Sequence, residues 1–184
     1  SPRARRAGSR HSSPSLIPWN PGGAFAEPMI DSHCHIAGPE FVDDLDEVIG
    51  RAEAAGVERA LVILAAEDAA EVARAPEVAS RWDRVRFSVG VHPHSAKAFA
   101  TDPSSVSACV RDVIVGQPLT RALGEIGLDY HYDLSPRDVQ REVFRSQIAL
   151  ARDLTLPLVL HTREAEEDTF EILHDTKASD IGGV

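Results

Sequence analysis

The sequence has few of the features that mark several common protein classes. Its two cysteines, Cys34 and Cys109, form no CxxC pair, so there is no disulfide framework and no zinc-finger spacing. Free thiols fit a reducing compartment, and we expect a cytoplasmic protein. No apolar run approaches the roughly 18 residues of a membrane span, so we expect no membrane contact. A Gly-rich phosphate loop and a nucleophilic serine elbow are also absent from the sequence, which argues against the enzyme classes that use them.

Positive charge is scarce as well. The 184 residues include 19 Lys and Arg against 29 Asp and Glu, a net charge of -10. Such a chain does not grip nucleic acid by phosphate neutralisation alone. If the substrate is phosphorylated, metal cations must therefore supply the local positive charge. With 43% hydrophobic residues the chain is long enough for one domain with its own core, and it shows no sign of an obligate protein partner.

Residues 1–28 differ in composition from the rest. They are rich in Ser, Pro and Arg, with four arginines against the single acidic residue Glu27. They lack the apolar stretch of a secretory signal, and their prolines disfavour an amphipathic transit helix. We predict a disordered extension over 1–28 and a folded domain over 29–184, beginning at Met29, the only methionine.

From Met29 onward, short apolar runs alternate with amphipathic stretches. The runs begin near residues 29, 60, 85, 121 and 156, and Gly182-Gly183-Val184 indicates the approach to a sixth strand. Alternating strands and helices predict βαβ units and a parallel α/β sheet. Polar residues follow several strands, which is typical of the functional residues of a (β/α)8 TIM barrel. Eight units need about 250 residues, so we expect an incomplete barrel of about five units, cut short after Val184.

Two helix starts carry capping residues. Asp68 precedes a stretch with helical periodicity and is predicted to cap it. Ser135 stands before Pro136, which suits the first turn of a helix, and is predicted to be the N-cap there.

The segment Ile30-Asp31-Ser32-His33-Cys34-His35 is the clearest local signal. Residues two apart on a strand point to the same face, so His33 and His35 should aim their imidazoles together, with Cys34 opposite. Two converging imidazoles are half of a site for a divalent metal. A His-x-His pair by itself also occurs by chance.

Two further potential ligands end later strands. Glu125 lies in an apolar strand between Gly124 and Gly127, where a carboxylate is rare unless it is paired or bound to metal. It is read either as a salt bridge at a strand end or as a ligand that two ions share. His161 ends another apolar strand, as a satisfied core histidine or as a ligand. Asp129 is read as positioning the loop that follows it.

Three residues are candidates for substrate contact. His92 and His94 end the third strand and either touch substrate or lie behind the ligands, although His94 is equally well explained as an exposed residue. Arg163 is suited to hold a phosphate oxygen in a bidentate fork, or to pair with Glu164 or Glu167. The cluster Tyr130-His131-Tyr132 offers aromatic and polar groups at the mouth of the site, or simply packs the loop.

Nitrogen and oxygen ligands without thiolate suit Zn, Mn, Fe or Mg, and a shared carboxylate is a usual way to hold two ions for phosphoester cleavage. Four motifs together closely resemble the TatD family of metal-dependent deoxyribonucleases. The resemblance runs from Met29 to Val184. Its motifs are Asp31-Ser-His-Cys-His35, Gly90-Val-His-Pro-His94, Gly124-Glu-Ile-Gly-Leu-Asp129 and Leu158-Val-Leu-His-Thr-Arg-Glu164.

The resemblance implies an amidohydrolase-type barrel with two divalent ions (Mg, Mn or Zn) that hydrolyses phosphodiester bonds in DNA. It assigns His33 and His35 to the first ion, Glu125 to both and His161 to the second. It also implies a later histidine and aspartate, which we expect to lie beyond Val184. Two alternatives remain at this point: a related metal enzyme acting on amide or ester bonds, and an inactive truncated fragment.

Overall fold

In the computed structural model of the protein, which describes residues 29–184, five strands alternate with five helices. The predicted extension over 1–28 lies outside the described residues. The strands are β1 Met29–Cys34, β2 Val57–Ala65, β3 Val85–Gly90, β4 Thr120–Asp129 and β5 Leu158–Arg163. The helices are α1 Leu45–Ala54, α2 Ala69–Arg81, α3 Val106–Gly116, α4 Arg137–Leu154 and α5 Glu166–Asp175. Short 3-10 helices cover Pro39–Phe41, Pro93–Phe99, Pro103–Ser105 and Ala178–Asp180.

The five strands form one parallel sheet in the order β1-β2-β3-β4-β5. A doubly wound sheet would reverse its strand order at a switch point, and this sheet does not. Sequential order with helical crossovers is the arrangement of a (β/α)8 barrel, of which these strands form a part. Beyond β5, Gly183 makes a parallel bridge with Leu158, and the Val184 N–H donates to the Leu158 carbonyl at 2.9 Å. The predicted approach to a sixth strand is therefore confirmed.

The sheet buries both faces of β3, of β4 and of the second half of β2, whereas the edge strand β1 is largely exposed. Its outer face packs against the helices around the large buried side chains Phe87, Leu123, Leu128, Phe144 and Ile148. Its inner face is a smaller apolar cluster of Ile63, Ala122 and Val159. Burial on both sides explains why the strands read as continuous apolar runs rather than as alternating patterns.

The two predicted caps have different outcomes. Asp68 is the N-cap of α2, and its carboxylate accepts hydrogen bonds from the Ala70 and Glu71 N–H groups at 2.9 and 3.1 Å. The prediction for Ser135 was wrong, because Pro136 is the N-cap of α4 and no side chain caps that helix. The Ser135 hydroxyl instead donates to the His94 carbonyl at 2.8 Å. It also accepts from the Lys97 N–H at 3.0 Å, so a tertiary contact takes the place of the local one.

Two strands reach further than predicted at the carboxyl edge of the sheet. β4 extends to Asp129 rather than ending at Ile126, and β5 extends to Arg163 rather than ending at His161. Polar side chains at the ends of β1, β3, β4 and β5 meet at this edge. Within residues 29–184, no helix combines the length and the apolar character that crossing a bilayer requires.

Candidate metal centre

The end of β1 brings two histidines together, as the alternation of side chains predicts. The Nε2 atoms of His33 and His35 are 3.2 Å apart. Cys34 points away, and its thiol lies 3.7 Å from the Leu61 carbonyl oxygen. Burial, and next the nearby Asp31 charge, raise the pKa of the Cys34 thiol to about 11. The thiol is therefore protonated at neutral pH in the metal-free protein. Because it points away from His33 and His35, it does not join them as a ligand.

Glycines on both sides of Glu125 allow β4 to approach β5 closely. At Gly124 (φ 154°) a Cβ would overlap Val159, and at Gly127 (φ 148°) it would overlap the His161 carbonyl oxygen. Neither backbone conformation suits an L side chain. The Ser88 hydroxyl fixes the same stretch by donating to the Gly124 carbonyl at 2.8 Å. Side-chain exposure of Glu125 is 15%, so its carboxylate sits half-buried beside His161.

The Glu125 carboxylate faces two groups of histidines. Its Oε2 lies 3.2 Å from His33 Nε2, and we call His33, His35 and Glu125 the edge cluster because β1 is the edge strand. Its Oε1 lies 2.9 Å from His161 Nδ1. We call His92, Glu125 and His161 the central cluster. Glu125 is thus the one residue common to both clusters.

The buried Asp129 orients His161, one of the two histidines of the central cluster. His161 Nε2–H donates to Asp129 Oδ2 at 3.0 Å, which leaves Nδ1 turned toward Glu125. The Asp129 side chain has no exposed surface. Burial alone would raise its pKa, but hydrogen bonds from the Tyr132 N–H, His94 and His161 hold the pKa of Asp129 well below its usual range. A carboxylate behind a histidine is the usual way to fix the ring and the tautomer of a metal ligand.

The ring nitrogens of His92 have different partners. Its Nδ1 accepts a hydrogen bond from the His94 N–H at 3.2 Å, so the neutral ring carries its proton on Nε2. That Nε2 lies 3.2 Å from His161 Nδ1. Burial, and next the neighbouring His161, lower the pKa of His92 to about 4. His92 is therefore a neutral hydrogen-bond donor within the central cluster.

The donor set fits divalent cations. The His161 Nδ1 lone pair and the Glu125 carboxylate lie in contact, and without a cation a proton must stand between them. The hydrogen bond to Glu125 accordingly raises the pKa of His161. Burial alone would raise the pKa of Glu125, but the bond from His161 and the nearby His92 and His33 lower it overall. Burial and the neighbouring His33 lower the pKa of His35, which favours its neutral form. Neutral imidazoles around an ionised carboxylate are what a divalent ion binds.

The remaining predicted site residues lie beside these clusters. His94 Nε2 donates to Asp129 Oδ2 at 2.9 Å, so His94 is held in the network rather than free at the surface. Arg163 is exposed, and within residues 29–184 no carboxylate lies within 4.0 Å of its guanidinium. Glu164, the alternative partner, pairs with His131 at 2.8 Å instead.

Two glutamines that the sequence reading did not single out hold the strand ends from outside. The Gln147 carboxamide accepts from the Val91 N–H at 2.8 Å and donates to the Val91 carbonyl at 3.0 Å. Gln140 does the same at Asp129, at 2.8 and 3.1 Å. Both are buried on α4 among apolar residues. The available signal was their spacing of seven residues on the apolar face of a helix, where a polar side chain needs a partner.

Asp129 also fixes the loop after β4, as predicted. Its Oδ1 accepts hydrogen bonds from the His131 and Tyr132 N–H groups at 3.1 and 2.9 Å. The sequence reading missed its second role behind His161, because it placed Asp129 beyond the strand. In the structure Asp129 is the last residue of β4 and pairs with Arg163 of β5.

Comparisons with known proteins agree with this architecture. Residues 30–184 match the family described as TatD related DNase. A relative from Bacillus subtilis, "Uncharacterized metal-dependent hydrolase YabD", is 38% identical over 156 residues, which are 85% of this chain and 59% of the relative. One from Salmonella typhimurium, "3'-5' ssDNA/RNA exonuclease TatD", is 32% identical over 155 residues, 84% of this chain and 57% of that protein. The chain thus spans a little under three fifths of the length of these relatives.

Solved structures give the same result for the fold. The crystal structure of YJJV, a TatD homologue from Escherichia coli, matches with a TM-score of 0.68 and 27% identity over 82% of this chain and 56% of the other. A TatD family hydrolase from Entamoeba histolytica matches with a TM-score of 0.74 at 19% identity, over 87% and 58% of the two chains. These matches confirm the predicted barrel architecture and the predicted resemblance.

Proposed function

This chain belongs to the TatD-related DNase family, and from that premise we propose that it is a divalent-metal-dependent hydrolase that cleaves phosphodiester bonds in DNA. Relatives named as a metal-dependent hydrolase and as an ssDNA/RNA exonuclease support the reaction class and the substrate. In this proposal residues 29–184 act as one unit of the hydrolase domain, because their five strands share one sheet.

The observation that carries the proposal is the position of Glu125. One carboxylate oxygen lies 3.2 Å from His33 and the other lies 2.9 Å from His161, so a single side chain contacts both clusters. We infer that two ions (Mg, Mn or Zn) bind here. His33, His35 and Glu125 would hold one, and Glu125 and His161 the other.

Divalent cations in these clusters would supply Lewis acidity for attack by water on a phosphodiester. The protein residues perform the remaining tasks. Glu125 spaces the two clusters and keeps its charge between them, which makes it the central catalytic residue. Asp129 holds the tautomer and the ring angle of His161, so the ligand does not reorganise during the reaction.

Three side chains are suited to the substrate. The His92 Nε2–H group can donate to an oxygen of a phosphodiester at the central cluster. His94, whose Nε2–H is donated to Asp129, lies beside it and would contact the substrate through its ring. Arg163 ends β5 at the same edge, and its exposed guanidinium can hold a phosphate in a bidentate fork. On a chain with a net charge of -10, these local donors and the cations must offset the repulsion of an anionic substrate.

Hydrolysis of a labelled single-stranded oligonucleotide tests the proposal. We expect cleavage that needs Mg, Mn or Zn, that EDTA abolishes and that Glu125→Gln abolishes. Glu171→Gln, which changes an exposed glutamate on α5, is the matched control and should retain full activity. Cleavage that survives Glu125→Gln would contradict the role of this residue.

The same preparations should be assayed on amides and lactones. Metal-dependent cleavage of those substrates without cleavage of the oligonucleotide would overturn the choice of substrate and leave the metal centre in place.

A further inference from the structure

The loop that follows β4 exposes an aromatic side chain beside the central cluster. Tyr132 is 53% exposed and the nearby Leu134 is 50% exposed. Among the described residues, the other large aromatic side chain with such exposure is Phe170 on α5. Aromatic surface at the mouth of a polar site commonly serves a ligand.

The backbone of Tyr132 is tied to the metal centre by one carboxylate. Asp129 accepts from the Tyr132 N–H at 2.9 Å through Oδ1 and from His161 at 3.0 Å through Oδ2. His131 adds a second tie, because its Nδ1 lies 2.8 Å from Glu164 in the loop after β5. The position of Tyr132 relative to the central cluster is therefore set by hydrogen bonds to the buried Asp129 carboxylate and by the exposed pair of His131 and Glu164.

The Tyr132 ring stands among groups that suit a nucleotide. Its centroid lies 5.5 Å from that of His94, in an edge-to-face arrangement. The Arg163 guanidinium carbon lies over one face of this ring, 5.2 Å from the centroid, which leaves the other face for a base. Within residues 29–184 this guanidinium has no carboxylate partner within 4.0 Å. A half-exposed aromatic face next to an unpaired guanidinium matches the base and the phosphate of one nucleotide.

The neighbouring Tyr130 provides the contrast. Its hydroxyl donates to the Asp168 carboxylate at 2.5 Å, and the Arg137 guanidinium carbon lies over its ring at 4.4 Å from the centroid. Both tyrosine rings therefore have an arginine over them, and the contrast lies in the hydroxyl, which has a carboxylate partner in Tyr130. Within the part of the chain that the structure describes, the Tyr132 hydroxyl has no hydrogen-bond partner.

We propose that Tyr132 is a stacking platform for a nucleobase of single-stranded DNA, next to the phosphodiester that the metal centre cleaves, with Arg163 binding a phosphate oxygen of that strand. The proposal rests on the proposed function and adds the residue that recognises the base. A base reaches the platform only when it is free of its partner strand, so the platform favours single strands over duplex. Stacking tolerates any base, so little sequence preference is expected.

Quenching of 2-aminopurine fluorescence tests the platform without turnover. Non-hydrolysable single-stranded oligonucleotides that carry 2-aminopurine at each position in turn are titrated with the full chain in the presence of Mn. We expect saturable quenching at one or two positions. Tyr132→Phe should retain it, and Tyr132→Ala should weaken binding about 10- to 100-fold. Phe170→Ala, the matched change at an exposed aromatic residue, should bind as the wild type does. Absent quenching, or equal quenching in Tyr132→Ala and wild type, overturns the proposal.

A second assay separates this inference from the proposed function. With Mn present, Tyr132→Ala should lower kcat/KM about 10- to 100-fold on an ordinary oligonucleotide and leave cleavage at an abasic spacer unchanged. An equal loss on both substrates overturns the platform. A chain that quenches 2-aminopurine through Tyr132 but cleaves neither substrate contradicts the proposed function and supports the platform.

Discussion

The edge cluster and the central cluster share Glu125 but differ in what holds their histidines. In the central cluster both nitrogens of each ring have partners: His161 binds Glu125 and Asp129, and His92 accepts from the His94 N–H. In the edge cluster His33 and His35 are exposed. Among the described residues, neither of their Nδ1 atoms has a hydrogen-bond partner.

The difference shows two ways of making a ligand set. The central cluster is organised by the protein, through a buried carboxylate and a backbone N–H. The edge cluster relies on strand alternation alone, which fixes the face of a side chain but not the angle of its ring. A cation bound there must fix those rings itself, so we expect weaker binding at the edge cluster.

The largest effect should come from Glu125→Gln, which removes the carboxylate that both clusters use. Metal affinity should fall more than about 100-fold at both, since loss of a supporting residue alone costs about 10- to 100-fold. Titration against a chelating dye measures this, with Glu171→Gln as the control. Retention of one tight site would mean that the clusters do not share this ligand.

Asp129→Asn should weaken metal binding at the central cluster and leave the edge cluster unchanged. It weakens the acceptor for His161 Nε2–H, so affinity at the central cluster should fall about 10- to 100-fold while the edge cluster keeps its affinity. Resolved binding steps in calorimetry report the two sites. Asp133→Asn, on the same loop but exposed, is the matched control. An equal loss of metal affinity at both clusters would show that Asp129 does not act on the central cluster alone.

The metal-free protein should lose stability in acid chiefly through the central cluster. The pKa of His92 is lowered to about 4 from 6.5, so its contribution is present above pH 6.5 and is lost as the pH falls toward 4. The size is on the order of 2–3 kcal/mol. The raised pKa of His161 acts in the opposite sense, since its contribution is present below pH 6.5 and is lost as the pH rises.

Urea unfolding of the metal-free protein at pH 7 and pH 5, in the wild type and in His92→Asn, isolates the His92 contribution. The variant should lose less stability between the two pH values than the wild type. His35→Asn, at the half-exposed edge cluster, should change the acid dependence less. Identical slopes in all three proteins would refute the difference in burial between the clusters.

Cys34→Ser should have the smallest effect. The thiol is half-buried on the face opposite His33 and His35, so metal affinity should stay within about twofold. The unfolding free energy should fall by about 1 kcal/mol. The raised pKa of the thiol predicts that iodoacetamide at pH 8 reacts with Cys34 more slowly than with glutathione. Rapid alkylation would show that this face of β1 is open.

The sequence was sufficient for the strands and for the convergence of His33, His35, Glu125 and His161. Parallel strands place their carboxyl ends at one edge, so polar residues that follow apolar runs must meet there. It was insufficient for distances across the sheet. Side-chain alternation predicted the face of His92 but not its contact with His161. The role of Asp129 behind His161 was missed because β4 extends three residues beyond the predicted end at Ile126. The wrong cap at Ser135 has the same origin, because its hydroxyl oxygen accepts from the distant Lys97 N–H group instead of from a local one.

The paired glutamines of α4 have a consequence for how the site assembles. Each carboxamide accepts from the N–H and donates to the carbonyl of one residue at a strand end. Gln147 binds Val91, which precedes His92, and Gln140 binds Asp129. A helix docked one turn out of place would orphan several buried polar groups, at about 1–3 kcal/mol each. The hydrogen bonds from helix α4 therefore favour the native register of β3 and β4 over shifted registers. A fold in which the histidines are misaligned is therefore less stable than the native fold, even without a bound cation.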